Sequence, residues 1–205
     1  MGCLGSNPDK AALEAECRGK SKEQKQVIEY FCKEEGCLSK NITDDTYLQM
    51  VQQKRDSLNL KAKALGKIGL DEEEISEIPP AMFEGFVFKN AYAKQRANGR
   101  WVSSAYQVSW VFFSATQVYI YRYTFNMDED KKSENTDEFF YKDVTSFSTS
   151  SETEVAHSLG EKFEVETNKF CMVVPGDKLY ISMDGVADSE SIIQAMKQKL
   201  REKKM

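Results

Sequence analysis

Residues 101–127 read WVSSAYQVSWVFFSATQVYIYRYTFNM, and the alternation inside this stretch decides the fold. It carries both tryptophans of the chain and a dense run of aromatic and β-branched residues. Taken with period two, Val102, Tyr106, Val108, Trp110 and Phe112 fall on one side, while Ser103, Ala105, Gln107 and Ser109 fall on the other. That pattern predicts a half-buried strand. After Ser114, Ala115 and Thr116 a second run begins. Tyr119, Tyr121, Tyr123 and Phe125 share one of its faces, and Val118 and Ile120 share the opposite face with Arg122 and Thr124. Two such runs joined by a short polar break predict a hairpin. The stretch locates the core but names no chemistry.

Toward the C-terminus the charged residues 128–137 predict a loop, and residues 139–150 supply one or two strands. Residues 163–174 supply one or two more, because the apolar parity shifts between Val165 and Phe170 and predicts a bulge or turn near Asn168. Pro175-Gly176 predicts the middle of a type II turn leading to Leu179, Ile181 and Met183. Asp188 or Ser189 then caps a closing helix over residues 190–203, with Ile192, Ile193, Met196 and Leu200 as its inward stripe.

Toward the N-terminus, Asn98-Gly99 predicts a tight turn, preceded by a strand over 83–93 with Phe86, Phe88 and Tyr92 on one face. Pro79 and Pro80 mark a boundary, and the acidic run Asp71, Glu72, Glu73 and Glu74 before it suits the first turn of a short helix. Upstream, the composition is helical. Ser21 caps a helix carrying Val27, Ile28 and Phe31 that ends at Gly36, and Thr43 opens a longer one carrying Tyr47, Val51, Leu58 and Leu65. Lys54 and Lys61 interrupt that stripe, so the pair needs a surface to pack on: the β half or a second copy of the chain. The expected organisation is therefore α+β, with a helical hairpin over 1–78 and a β domain over 79–205.

The strand run from Phe83, the segment FYKDVTSF at 140–147, the PGDK turn at 175–178 and the closing helix together resemble the pleckstrin-homology-like superfold. The resemblance implies a bent antiparallel β-barrel or sandwich of about seven strands with its end plugged by the C-terminal helix. A small β-barrel of another kind, or an open sheet with helices on one face, fits the same pattern. In that family the first β-turn is where inositol phosphates bind when they bind at all. The resemblance therefore singles out Lys94, Arg96 and Arg100, with Lys89 close by, as candidate lipid- or anion-binding residues.

The residues themselves argue against most other chemistry. A net charge of −5 over 205 residues opposes nonspecific nucleic-acid binding. No apolar run reaches the roughly 20 residues of a membrane span. The five cysteines are odd in number and unpatterned, which points to reduced thiols, a cytoplasmic setting and no disulfide framework. Cys32 and Cys37 lack the further ligands of a zinc site. The residues 128–137 lack the turning glycine of a calcium loop. His157, the sole histidine, falls in a polar loop over 154–160 and has no evident nucleophile beside it. The sequence thus offers no catalytic residue, no cofactor and no metal. Tyr119, Tyr121 and Tyr123 form a candidate interaction surface, as barrel core or the seat of a docked helix. Gly2 and Cys3 fit a short lipidation pattern, and Asn41 a sequon without meaning in a chain lacking a signal peptide. The expectation is a noncatalytic protein-interaction or self-association module. Its rival is a membrane-surface adaptor using the basic turn.

Overall fold

The computed structural model describes residues 8–32, 42–71, 73, 75, 79–159, 161–183 and 189–204. Gly2, Cys3, Gly36, Cys37, Asn41, Glu72, Glu74 and Asp188 lie outside the described residues. The chain is α+β. Four helices come first: α1 (Pro8–Glu16), α2 (Lys22–Cys32), α3 (Asp44–Ser57) and α4 (Leu60–Ile68). Nine strands follow among the described residues: β1 (Ala81–Val87), β2 (Ala93–Gln95), β3 (Trp101–Ser103), β4 (Ala105–Phe113), β5 (Gln117–Asn126), β6 (Lys132–Phe140), β7 (Ser146–Ser158), β8 (Glu161–Val174) and β9 (Asp177–Ser182). A closing helix, α5 (Ser189–Lys204), completes the chain.

The strands form three antiparallel sheets ordered β1-β4-β5-β6, β2-β3 and β7-β8-β9, and no barrel closes among the described residues. Two helix starts behave as their residues dictate. The Ser21 hydroxyl accepts from Gln24 N at 3.2 Å while the Gln24 side chain accepts from Ser21 N at 2.9 Å, a capping box that opens α2. The Thr43 hydroxyl accepts from Thr46 N at 3.2 Å and opens α3. Where one long helix was expected, Asn59 at φ 47° breaks the chain into α3 and α4. Among the described residues, the expected helical hairpin is thus a cover of four helices.

The central stretch contains three strands rather than two. Ser103 and Ser104 make the corner: the Ser103 hydroxyl donates to Val87 O at 2.7 Å, and Ser104 N donates to Tyr92 O at 2.8 Å. With these groups satisfied off the ladder, β3 leaves the large sheet and pairs with β2. The strand expected over 83–93 breaks likewise. Asn90 takes φ 58°, and the Glu154 carboxylate accepts from Phe88 N at 2.7 Å and Lys89 N at 3.1 Å. The expected loop over 128–137 is largely strand, because β6 pairs with β5 from Lys132 onward and forms a polar outer edge.

The second sheet also corrects the sequence. His157 lies in β7, not in a loop, and pairs with Lys162. No bulge interrupts β8 at Asn168, which faces Ser151 in an unbroken one-to-one register. The parity shift has another cause. Val165 packs with Phe88, Ala93 and Ala156, whereas Phe170, Met172 and Val174 pack in a separate core. Opposite faces of one strand are covered at opposite ends. Gly176, at φ 85°, sits with Pro175 in the two-residue β8–β9 connection as expected.

The β4–β5 hairpin is buried on both faces, not one. Tyr106, Val108, Phe112, Tyr119, Tyr121, Tyr123 and Phe125 join the helical cover in one core. Val111, Phe113, Val118 and Ile120 join the β7-β8-β9 sheet and α5 in the other. Ile193, Met196 and Leu200 of α5 are buried there as their spacing predicted.

Candidate functional site

A cleft of about 660 Å³ opens between α3, β1 and the β2–β3 turn. The turn is closed by its own backbone: Arg96 N donates to Arg100 O and Gly99 N to Arg96 O, both at 2.9 Å. Gly99 supplies the left-handed conformation at φ 79°, and the Asn98 side chain accepts from Arg100 N at 3.0 Å. Gln95 pairs with Trp101, so Arg96 and Arg100 stand next across the same hairpin and both line the cleft.

The walls are apolar. Leu48 and Val51 of α3 face Phe86 of β1, and Trp101 and Val102 of β3 close the other side. Trp101 is itself braced by Phe163, with ring centroids 5.2 Å apart. At the floor, Arg55 Nη1 donates to both oxygens of Glu84 at 2.8 and 3.0 Å. Glu84 is only 9% exposed, so an unpaired carboxylate there would be costly. Burial works against the charge on Arg55, but Asp56 and Glu84 outweigh it and raise the guanidinium pKa further. Burial also raises the pKa of Tyr106, with the Glu84 charge acting in the same direction.

The three cations singled out by the sequence are not used alike. Lys94 Nζ lies 3.6 Å from Asp44 and 3.8 Å from the centroid of the Tyr30 ring, so it serves the helical cover. Arg96 and Arg100 make no ion pair among the described residues, in contrast to Arg55 with Glu84 and Arg122 with Asp137. Arg96 Nε is buried without an acceptor. Lys89 is exposed, and its backbone joins the Glu154 clasp.

Tyr119, Tyr121 and Tyr123 are 8%, 0% and 3% exposed, covered by the chain's own helices. Their partner here is intramolecular. His157 packs against Tyr92, with centroids 4.5 Å apart and the rings tilted by 54°, and Tyr92 Oη donates to Glu16 at 2.6 Å. Near this corner the Cys32 thiol is pushed up to about 11 by burial, so it stays protonated and a poor nucleophile at neutral pH.

Sequence reasoning did not single out Arg55, Glu84 or Tyr106. One signal was present: Glu84 sits between Phe83 and Gly85 in an otherwise apolar strand, where a carboxylate requires a cationic partner. Nothing in the spacing pointed to Arg55 on a distant helix. Among the described residues, no helix is long and apolar enough to cross a membrane. No protein-family model, curated protein or solved structure matches the chain.

Proposed function

We propose that this chain is a noncatalytic interaction module on a pleckstrin-homology-like scaffold, and that the cleft beside the β2–β3 turn receives an acidic element of a protein partner. The scaffold reading is supported by the division into a four-stranded and a three-stranded antiparallel sheet followed by a helix packed in their shared core. In this reading the β2–β3 hairpin is an insertion between the first two long strands. The observation that carries the functional reading is the pair Arg96 and Arg100: two cations without an ion pair among the described residues, on a concave surface walled by Leu48, Phe86, Trp101 and Val102.

The noncatalytic part draws on the state of the reactive groups. The lone histidine packs against a tyrosine, the half-buried thiol of Cys32 is held protonated, and Glu84 is occupied by Arg55. The membrane-adaptor reading is weakened by Lys94, whose ammonium is engaged by Asp44 and Tyr30. With two arginines left, attraction to an anionic surface falls to about 2 kcal/mol before any penalty.

The test compares the full chain with its Arg96→Gln/Arg100→Gln variant, each immobilised and challenged with cell extract, with captured proteins quantified by mass spectrometry. Proteins held by the wild type and lost from the variant support the reading. Identical capture profiles sink it. Light scattering over a concentration series shows whether a second copy of the chain is among the partners.

A further inference from the structure

The charges around the cleft constrain what it holds. Its lining includes three arginines, Arg55, Arg96 and Arg100, against two carboxylates, Glu84 and Glu166. Arg55 is already held by Glu84 at the floor and by Asp56 beside it. Glu166 is steadied by the Ser151 hydroxyl, which donates to it at 2.7 Å. Arg96 and Arg100 against Glu166 leave one net positive charge on the turn side of the cleft. A polyanionic headgroup would exceed that single charge and meet repulsion from Glu166, whereas a single carboxylate is balanced. Arg96 and Arg100, next to each other across the hairpin and both lining the cleft, suit a carboxylate held by planar guanidinium forks.

Size and polarity add a second requirement. A volume of about 660 Å³ is far larger than a bare anion needs. Leu48, Phe86, Trp101 and Val102 offer apolar walls that only an apolar body would cover. The rim at Gln52 and Gly99 is exposed, so a main chain can leave the cleft there. We infer that the cleft takes the C-terminal end of a partner polypeptide, its free carboxylate on Arg96 and Arg100 and its last, large apolar side chain between Phe86 and Trp101. This rests on the interaction-module reading above and specifies its ligand.

The experiment is calorimetric titration of the full chain with acetyl-Gly-Ser-Ala-Phe bearing a free C-terminal carboxylate, followed in parallel by tryptophan fluorescence. The comparison probes are the same peptide as its C-terminal amide, 3-phenylpropionate, and vesicles of phosphatidylcholine with phosphatidylserine. The free-acid peptide is expected to bind, with the amide and the Arg96→Gln/Arg100→Gln variant weaker by about tenfold or more, a difference of about 1.4 kcal/mol. Neither guanidinium has an ion-pair partner among the described residues, so the variant should melt with the wild type. Gln52→Trp, at an exposed rim position, should block the peptide independently, and Arg201→Gln should leave binding unchanged. Equal affinity for acid and amide, or an unaffected double variant, overturns the inference. So does phenylpropionate binding as tightly as the peptide, or arginine-dependent vesicle binding without peptide binding. If the peptides fail while extract capture still depends on Arg96 and Arg100, the ligand assignment falls and the module reading stands.

Discussion

The two faces of the β4–β5 hairpin bury the same backbone under different chemistry. Beneath the helices the face is aromatic and carries polar handles. Tyr47 Oη donates to Ser103 O at 2.6 Å, Tyr30 Oη to Asp44 at 2.6 Å and Tyr121 Oη to Glu134 at 2.8 Å. Beneath the β7-β8-β9 sheet the face is Val111, Phe113, Val118 and Ile120, packed with Phe83, Phe170 and Met172. Apolar contact is nondirectional, so the second core accepts any well-filled arrangement. A buried hydroxyl demands one acceptor at one distance, and Tyr47 Oη on Ser103 O, which joins helix to sheet, gives the helical cover a fixed register there. The difference separates a core that supplies bulk stability from one that also specifies where an element docks.

Removing the cover should have the largest effect. A chain beginning at Pro79 exposes Tyr106, Tyr121, Tyr123 and Phe125 together, at about 1.5–3 kcal/mol for each large apolar side chain. It should bind a hydrophobic dye and aggregate or self-associate; a monodisperse product with unchanged melting would show that the cover is an appendage. Next, Met196→Asp places a charge where only 2% of the side chain is exposed and should cost several kcal/mol, enough to unfold the β domain. Lys197→Glu, one residue along, should change stability by about 0.5 kcal/mol or less. Equal urea midpoints for the two variants would remove α5 from the second core.

A smaller pair of substitutions sharpens the contrast itself. Tyr47→Phe strands the buried Ser103 carbonyl and should cost about 1–3 kcal/mol, although the ring stays in place. Ile120→Val, at a fully buried site of the other core, should cost about 0.5–1.5 kcal/mol. Urea denaturation of both decides whether polar handles outweigh packing in the aromatic core.

Titration offers a further probe. Burial, followed by Glu16 for Tyr92 and Glu134 for Tyr121, raises these tyrosines above the ordinary value of 10.0. A raised folded value means that the contribution is fully present below pH 10 and is lost as pH climbs through the folded value. Alkaline titration should therefore unfold the cover as tyrosinate absorbance appears, with circular dichroism and absorbance changing together. Separate transitions would contradict the linkage.

Asp128 should give an effect of the opposite sign. Burial raises its carboxyl above 3.8, and one of its oxygens is buried without a partner. The folded state thus holds its proton more tightly, so stability falls as pH rises from 3.8 through the folded value. Asp128→Asn should add on the order of 1 kcal/mol at neutral pH and flatten that slope, as measured by urea midpoints across pH.

Much of this was legible beforehand because it depends on neighbours in sequence. Period-two alternation assigned Tyr119, Tyr121 and Tyr123 to one face and Val118 and Ile120 to the other, and the two cores keep that division. Ser21, Thr43, Gly99 and Pro175-Gly176 act locally, through caps and turns, and were placed accordingly. The stripe of α5 needed only helical spacing. The charged segment over 128–137 misled, because from Lys132 onward pairing with β5 overrides a polar composition in an edge strand. The parity shift near Asn168 misled as well, since sequence shows that the covered face changes but not whether the chain bends to do it.

By itself, the sequence determined the α+β division, the two-faced central hairpin, the closing helix and a basic turn near Asn98-Gly99. Each follows from periodicity or dihedral preference within a few residues. Only the tertiary structure decided how the three basic residues divide. Lys94 meets Asp44 on α3 and Tyr30 on α2, while Arg96 and Arg100 overlook a cleft whose floor joins Arg55 to Glu84. Those partners lie tens of residues apart along the chain. Which cation is neutralised and which is left open is a property of long-range packing, to which local pattern is blind.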